Sequence, residues 1–237
     1  MKNITTFDFT TLGKFKKIFV LVSGGIDSTY LYEMIYPLFP EKTYAVNCWN
    51  PYEQSKTLSI LKKLPNFIEV RPEEQMKYHD ILIESFLKIP QAEEARKRGK
   101  YHKKIFPCCY YMKHQAFKKD PLFQEQNTVV ISGIKYGDGM QRRIWLTQLK
   151  NEMKWFHRHH EGQLYCYPFR NYQKRELPQD IYQELTRKYP GLKHSGCSLC
   201  PVLVVFRDKI KDEPRVLESV KFYNKLINQQ TIDFFIS

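Results

Sequence analysis

The sequence predicts an α/β protein: a mostly parallel, doubly wound sheet with a helical C-terminal extension. Three observations carry this. Short β-branched apolar runs alternate with stretches of helical apolar spacing, the order that builds parallel sheets flanked by helices. The first run, Lys17-Ile18-Phe19-Val20-Leu21-Val22, leads directly into Ser23-Gly24-Gly25-Ile26-Asp27-Ser28, a tight turn into a helix. The chain has 237 residues, 42% hydrophobic and 15% aromatic, enough for one such domain with a sizeable core.

In order along the chain, residues 17–22 read as a buried strand and Tyr30–Ile35 as part of the helix after it. Lys42–Cys48 reads as a second strand, and Glu53–Leu64 as its helix, stopped by Pro65. Asn66–Val70 is a third strand, and Glu73–Leu87 a helix with acidic residues in its first turn. Gln91–Lys104 is the most charged stretch, an exposed helix or loop. Cys108–Lys119 has helical spacing and stops before Asp120-Pro121. Asn127–Ile134 is a fourth strand opening into the glycine-marked loop Lys135–Gly139, and Gln163–Phe169 a fifth strand ending at Pro168. Pro178–Lys188 reads as a helix with Pro at its start, and Asp212–Asn228 as a helical tail. We therefore expect a domain over residues 1–205 with a helical tail, 206–237, packed on it.

The Ser23–Ser28 loop carries the first chemistry. Two glycines let backbone N–H groups face inward, and the helix N-terminus adds partial positive charge, so the loop suits an anion. Ser23 and Ser28 add hydroxyl donors. A plain turn capped by Asp27 or Ser28 needs no Ser-Gly-Gly in front of it. The stretch has no lysine after the glycines and no GxGxxG, so two common phosphate templates do not apply.

The formal net charge is +13, which suits polyanions without choosing among them. Basic and aromatic residues interleave in Lys97–Lys104 and Lys154–His160, patterns that can track a phosphate backbone. His157, His159 and His160 lack the carboxylates or spacing of a metal tract and read as a solvated basic segment. No apolar run nears the roughly 20 residues of a membrane span. Residues 1–8 lack a signal-peptide layout, so the expected location is the cytoplasm, where thiols stay reduced.

Four of the six cysteines fall in two pairs, Cys108-Cys109 and Cys197-Ser198-Leu199-Cys200. Three readings stand side by side: thiols without metal, a zinc site and an iron–sulfur cluster. Adjacent cysteines make an awkward zinc pair because side chains at i and i+1 point apart; a cluster offers separate irons to neighbouring ligands.

Residue for residue, Ser23-Gly24-Gly25-Ile26-Asp27-Ser28 resembles the SGGxDS loop of the PP-loop ATP pyrophosphatases, the adenine-nucleotide α-hydrolase-like (HUP-like) superfamily. With Cys-Cys, a long interval and Cys-x-x-Cys behind it, the chain from about residue 17 to about 205 resembles the adenylylsulfate/phosphoadenylylsulfate (PAPS) reductase family. The resemblance implies that Cys108, Cys109, Cys197 and Cys200 hold a [4Fe–4S] cluster with the basic Lys113 near it. It makes Ser132-Gly133-Ile134-Lys135 the family's strand-end (T/S)-G-x-(R/K) segment, and Arg142 or Arg143 its phosphate- or sulfate-binding arginine. Two departures stand out. No cysteine follows Cys200, where the reductases carry their nucleophile in a Glu-Cys-Gly-(Leu/Ile)-His segment, and the loop keeps an intact SGGxDS form that the reductases commonly lose.

These features lead us to expect an ATP-dependent enzyme that adenylates a substrate, releasing pyrophosphate, for sulfur transfer, nucleic-acid thiolation being one case. In this reading Ser23, Gly24, Gly25, Ser28 and Gly133 bind nucleotide, and Asp27 binds Mg²⁺ or orients the attacked group. Lys135, Arg142 and Arg143 stabilise the departing pyrophosphate. The alternatives are a sulfonucleotide reductase with a non-standard thiol, and a non-catalytic nucleotide- or nucleic-acid-binding cluster protein. Expected partners are the nucleotide, a tRNA or DNA substrate and a sulfur or thiol donor protein, with no membrane and a homodimer left open.

Overall fold

Among the described residues the five expected apolar runs and one further segment, 156–158, form six strands: β1 Lys17–Leu21, β2 Thr43–Cys48, β3 Phe67–Val70, β4 Thr128–Ile131, β5 Phe156–Arg158 and β6 Leu164–Cys166. The computed structural model describes all residues except 1–3, 53–54, 72–76, 103–104, 110, 112–119, 139, 149–154, 159–161, 175, 193–196, 211–213 and 237, and describes only the backbone of 55–56, 109, 140–141 and 230–236. The strands form one sheet in the order β3-β2-β1-β4-β6-β5, parallel throughout except for the β5–β6 pair. This is the α/β fold expected from the alternation of strands and helices.

The chain divides into two compact units, Met1–Cys48 with Ser55–Val70 and Lys118–Ser195, and Trp49–Gln54 with Arg71–Phe117 and Gly196–Ser237. The first holds the sheet and helices α1 Ile26–Ile35, α2 Ser55–Leu61, α5 Met140–Gln148 and α6 Gln179–Lys188. The second holds α3 Tyr78–Leu87, α4 Ile89–Lys97, a short turn Pro107–Cys109, α7 Pro201–Val205 and α8 Pro214–Ile236.

In the first unit, strand alternation sets the core. Ile18, Val20 and Val22 pack in one cluster with Tyr30, Leu31 and Ile35 of α1, Leu61 of α2 and Ile181 and Leu185 of α6. Phe19 turns to the other side, 4.9 Å from Phe123 and 5.6 Å from Tyr44 between ring centroids. Asn66 and Asn127, each just before a strand, take φ of 50° and 60°, a left-handed conformation that asparagine tolerates better than most residues. In the second unit, Tyr78, Leu82, Phe86, Ile89 and Ala92 form a core with Phe106, Cys108, Val204 and Val205. Arg96 grips Asp208 with both guanidinium nitrogens, at 2.7 and 2.6 Å, tying α4 to the turn after α7.

Several boundaries differ from the sequence expectation. The fourth strand stops at Ile131, and the next residues leave the ladder on the way to Lys135, apart from the Ser132 N–H on Cys166 O at 3.0 Å. Phe156–Arg158, read from sequence as solvated and basic, forms the antiparallel edge strand because Phe156 packs toward Phe7 and Phe15. Trp155 also lies against Phe7, at 5.6 Å. The fifth expected strand shortens to Leu164–Cys166, and the charged 91–104 stretch begins as helix α4 at Ile89. α5 and α7 had no sequence expectation. The helical reading of Cys108–Lys119 falls mostly outside the described residues. Among the described residues no helix is long and apolar enough to cross a membrane.

Leu31 is fully buried between α1 and the sheet. Leu31→Ala should cost about 2–5 kcal/mol, read as a lower urea midpoint. Leu38→Ala, at a position 49% exposed, should leave the midpoint nearly unchanged. Equal shifts would contradict this packing.

Candidate functional site

The strand order reverses at β1: β2 and β3 lie on one side of it, and β4 on the other. Such a switch point opens a crevice at the carboxyl ends of the neighbouring strands, where open α/β sheets bind ligands. Residues 22–25 leave β1 there, and residues 132–135 leave β4 there.

The loop after β1 requires its glycine. Gly24 has φ +74°, and a Cβ at that position would lie 1.9 Å from Thr57 Cγ2, on α2. Conformation and space therefore exclude a side chain independently. Gly25 sits at the N-cap of α1 in an extended conformation, with no side-chain cap. The loop is braced from within: the Ser28 hydroxyl accepts the Ser23 N–H at 3.2 Å and donates to Gly25 O at 3.0 Å. Thr29 Oγ1 donates to the same carbonyl at 3.1 Å, and Ser23 Oγ lies 3.5 Å from Ser28 Oγ. Behind the loop, buried Asn47 donates its amide to Val22 O at 2.7 Å, fixing the end of β1 to β2.

Across the switch point, Lys135 is 1% exposed, and its ammonium forms an ion pair with Asp27 in the first turn of α1. A second carboxylate, Asp138 Oδ1, stands 3.7 Å from the same nitrogen, and Asp138 Oδ2 accepts the Lys135 N–H at 3.0 Å. Asp138 also pairs with Arg142 of α5, so charges alternate along Asp27, Lys135, Asp138 and Arg142. Burial pushes the Asp27 carboxyl above its ordinary value, and the Lys135 hydrogen bond and charge draw it partly back. Gly133 lies against the backbone of Asp27 and Ser28, its ideal Cβ 3.6 Å away from them. Arg143 lies over the Tyr136 ring, 5.3 Å from its centroid, and donates from Nε to Tyr136 O at 3.2 Å.

The structure thus brings Ser23, Gly24, Gly25, Asp27, Ser28, Gly133, Lys135 and Arg142 into one neighbourhood, with Arg143 on a different partner. Sequence reasoning missed Asp138, Thr57 and Asn47. Asp138 was visible only as a member of the glycine-marked loop; nothing local marked the other two. Chemically, the site offers an anion-accepting helix N-terminus beside a buried ammonium and a partly exposed carboxylate. A single carboxylate of this kind suits Mg²⁺ held mainly by substrate phosphates.

In the second unit, Cys108 is buried and Cys197 and Cys200 are half-buried, none of them in a disulfide. The Cys108 N–H donates to Ser85 Oγ and the Cys200 N–H to Ser219 Oγ, each at 3.0 Å. Asn50 donates from Nδ2 to Cys197 Sγ at 2.7 Å. Cys108 shares an apolar cluster with Leu199, Val202 and Val204, which flank Cys200. Soft sulfur donors in an apolar shell are the kind of ligand a thiolate-bound iron centre takes, but kind alone does not make a site. Among the described residues no group of three or more His, Cys, Asp or Glu is arranged to hold a metal ion. The Cys109 side chain and all of Lys113 lie outside the described residues. The other two cysteines are buried, and burial raises the Cys166 thiol well above its ordinary range.

The pair across the switch point is open to titration. Followed by carboxyl NMR, Asp27 should titrate above 3.8, and higher still in Lys135→Met, which removes the cation that holds it down. Because its pKa is raised in the folded state, Asp27 lowers stability as pH rises through the window above 3.8. A midpoint unmoved by Lys135→Met would contradict the pairing.

No protein-family model matches the chain, and no curated protein matches it. Solved structures do match, among them a phosphoadenylyl-sulfate (PAPS) reductase from Candida auris in a phosphate complex. The two share 11% identity over 81% of this chain and 89% of that one, with a TM-score of 0.47. At these values the likeness says nothing of individual residues or of chemistry.

Proposed function

We propose that the protein is a PP-loop enzyme of the PAPS reductase-like kind that holds an adenine nucleotide by its phosphates at the Ser23–Ser28 loop. The observation that carries this is the buried Lys135 ammonium beside Asp27, at the first turn of α1 and at the reversal of strand order. The ammonium is buried at a helix N-terminus and shared between Asp27 and, at 3.7 Å, Asp138, and an incoming phosphate competes with these carboxylates for it.

Two reactions fit this cradle. In the first, the substrate is a sulfonucleotide: an incoming thiol takes the sulfonate, the S–O bond to phosphate breaks and the nucleotide leaves with its charge against Lys135. The pairing of a PP-loop with Cys-Cys and Cys-x-x-Cys favours this sulfur chemistry. In the second, the substrate is ATP: an acceptor oxygen attacks the α-phosphorus, pyrophosphate leaves, and sulfur later displaces the adenylate. The unaltered Ser-Gly-Gly-Ile-Asp-Ser sequence favours that one, with a tRNA or DNA acceptor and a sulfur donor protein as partners. In both, Lys135 stabilises the leaving group and Ser28 keeps the loop in shape; Arg142, exposed at the mouth, is free to exchange Asp138 for a phosphate oxygen. Mg²⁺ at Asp27 would neutralise phosphate charge. A [4Fe–4S] cluster on Cys108, Cys109, Cys197 and Cys200 belongs to the proposal.

Purified protein given a sulfonucleotide and a thiol should release sulfite, or, given ATP, acceptor and a sulfide donor, pyrophosphate on adenylation and AMP when sulfide displaces the adenylate. Whichever product forms, Lys135→Met should lower kcat/KM by about 10²–10³. Neither product, with tight polynucleotide binding, would leave a non-catalytic binder instead. Anaerobically purified protein should be brown and contain iron and acid-labile sulfide; colourless protein containing zinc would refute the cluster.

A further inference from the structure

Resting on the phosphate site proposed above, we infer that the backbone of residues 172–174 is a clamp that holds the buried Lys135 ammonium at the crevice, with Gly137 the positioning residue on which it closes. Lys135 opens the short helical turn Tyr136–Asp138, closed by the Asp138 N–H on Lys135 O at 3.2 Å and the Lys135 N–H on Asp138 Oδ2 at 3.0 Å. Gly137 lies inside this turn, is buried, and donates its N–H to Tyr172 O at 3.0 Å. An ideal Cβ on Gly137 would lie 2.2 Å from Lys174 O, 2.4 Å from Lys174 C and 2.6 Å from Gln173 O. These neighbours are backbone atoms, which cannot swing aside as the end of a side chain can. The φ of Gly137 lies outside the left-handed region, so it is the closeness of residues 173–174 that demands glycine here.

The clamp is itself anchored. β6 runs parallel to β4, so the chain leaving it emerges at the crevice end of the sheet. The Tyr172 N–H donates to Phe169 O at 2.9 Å, and the fully buried Phe169 ring stacks on Tyr30 of α1, 5.9 Å between centroids. The Tyr172 hydroxyl donates to Glu176 O at 3.0 Å, closing the other end of the segment. Burial and then the Asp27 charge raise the Tyr172 phenol above its ordinary value, so the clamp lies within electrostatic reach of the carboxylate that pairs with Lys135. Three strand exits thus converge on one ammonium: Asp27 after β1, Lys135 after β4 and the clamp after β6. A turn held in this way presents the ammonium to phosphate at a fixed position, without the ordering cost of a mobile lysine. Displacing the turn withdraws the ammonium and leaves the loop after β1 as it was.

Three variants of the full chain test this. Gly137→Ala drives a methyl group into the Lys174 carbonyl. Tyr172→Ala keeps Gly137 but removes the anchor on Glu176. Gly13→Ala is the control, since its Cβ meets nothing closer than Phe39 Cε1 at 3.4 Å. In the ligand-free unmodified chain, nitrogen-15 NMR should show a slowly exchanging lysine ammonium, assigned to Lys135 by its absence in Lys135→Met. Gly13→Ala should keep that signal, and Gly137→Ala and Tyr172→Ala should lose it to exchange with water. Isothermal titration with ATP and Mg²⁺, or with adenosine 5′-phosphosulfate, should then give a Kd raised about tenfold or more in both, the scale of one weakened charge-assisted hydrogen bond. If Gly137→Ala shows no cooperative urea transition, Tyr172→Ala carries the test with the same two readouts. No slow signal in the unmodified chain, a signal kept by the folded clamp variants, or a signal lost with nucleotide affinity unchanged would each overturn the inference. If the unmodified chain binds neither nucleotide, the phosphate reading fails, and the ammonium signal alone decides the clamp: lost in both clamp variants it stands, kept in either it falls.

Discussion

The ion pair between Lys135 and Asp27 is the constraint on which the candidate site depends. It joins the residue four positions past β4 to the first turn of the helix that follows β1, so it forms only if β1 and β4 are neighbours and parallel. Burying an ammonium costs several kcal/mol unless a carboxylate compensates. Asp27 and Asp138 supply that compensation from two directions. The early end of β4, the close approach of Gly133 to α1 and the short helical turn Tyr136–Asp138 all serve to bring Lys135 into this position.

The same arrangement explains why the loop after β1 is built from glycine and small hydroxyls. Thr57 of α2 fills the space where a Gly24 side chain would go, and Asn47 holds Val22 in place from β2. Ser28 closes the loop on itself and leaves its mouth to backbone groups. The loop is therefore shaped before any ligand arrives, which limits the ordering entropy that binding must offset. Asp27 gives the site both signs of charge. A phosphate entering beside it meets repulsion from the carboxylate and attraction from Lys135, a balance that a divalent cation on Asp27 would tip toward binding.

Much of this could be read in the sequence, for physical reasons. Val20 and Ile131 announce strands because β-branched residues in short runs suit a buried parallel sheet, and Gly24-Gly25 announces a turn because few other residues fit one. Lys135 and Asp27 could be nominated individually. Their pairing could not, since it depends on strand order. Thr57 was invisible because its importance comes from Gly24, distant in sequence, and Asp138, seen only as part of a loop, owes its importance to the burial of Lys135 beside it. Phe156–Arg158 was misread because the Lys and His residues around it hide one inward-facing ring, and an edge strand needs no more than that. α5 was missed because Ile144 is 54% exposed and, among its described side chains, only Leu146 is buried, so these show no clear apolar stripe.

The central claim is that the crevice between β1 and β4 recognises phosphate. Isothermal titration of the purified chain, with Mg²⁺ present, against adenosine, AMP, ATP and adenosine 5′-phosphosulfate measures this directly. The account predicts binding that strengthens with the phosphate-bearing ligands, is undetectable for adenosine, and is lost in Gly24→Ala. Adenosine binding as tightly as the nucleotides, or undiminished nucleotide binding by a folded Gly24→Ala chain, would contradict it.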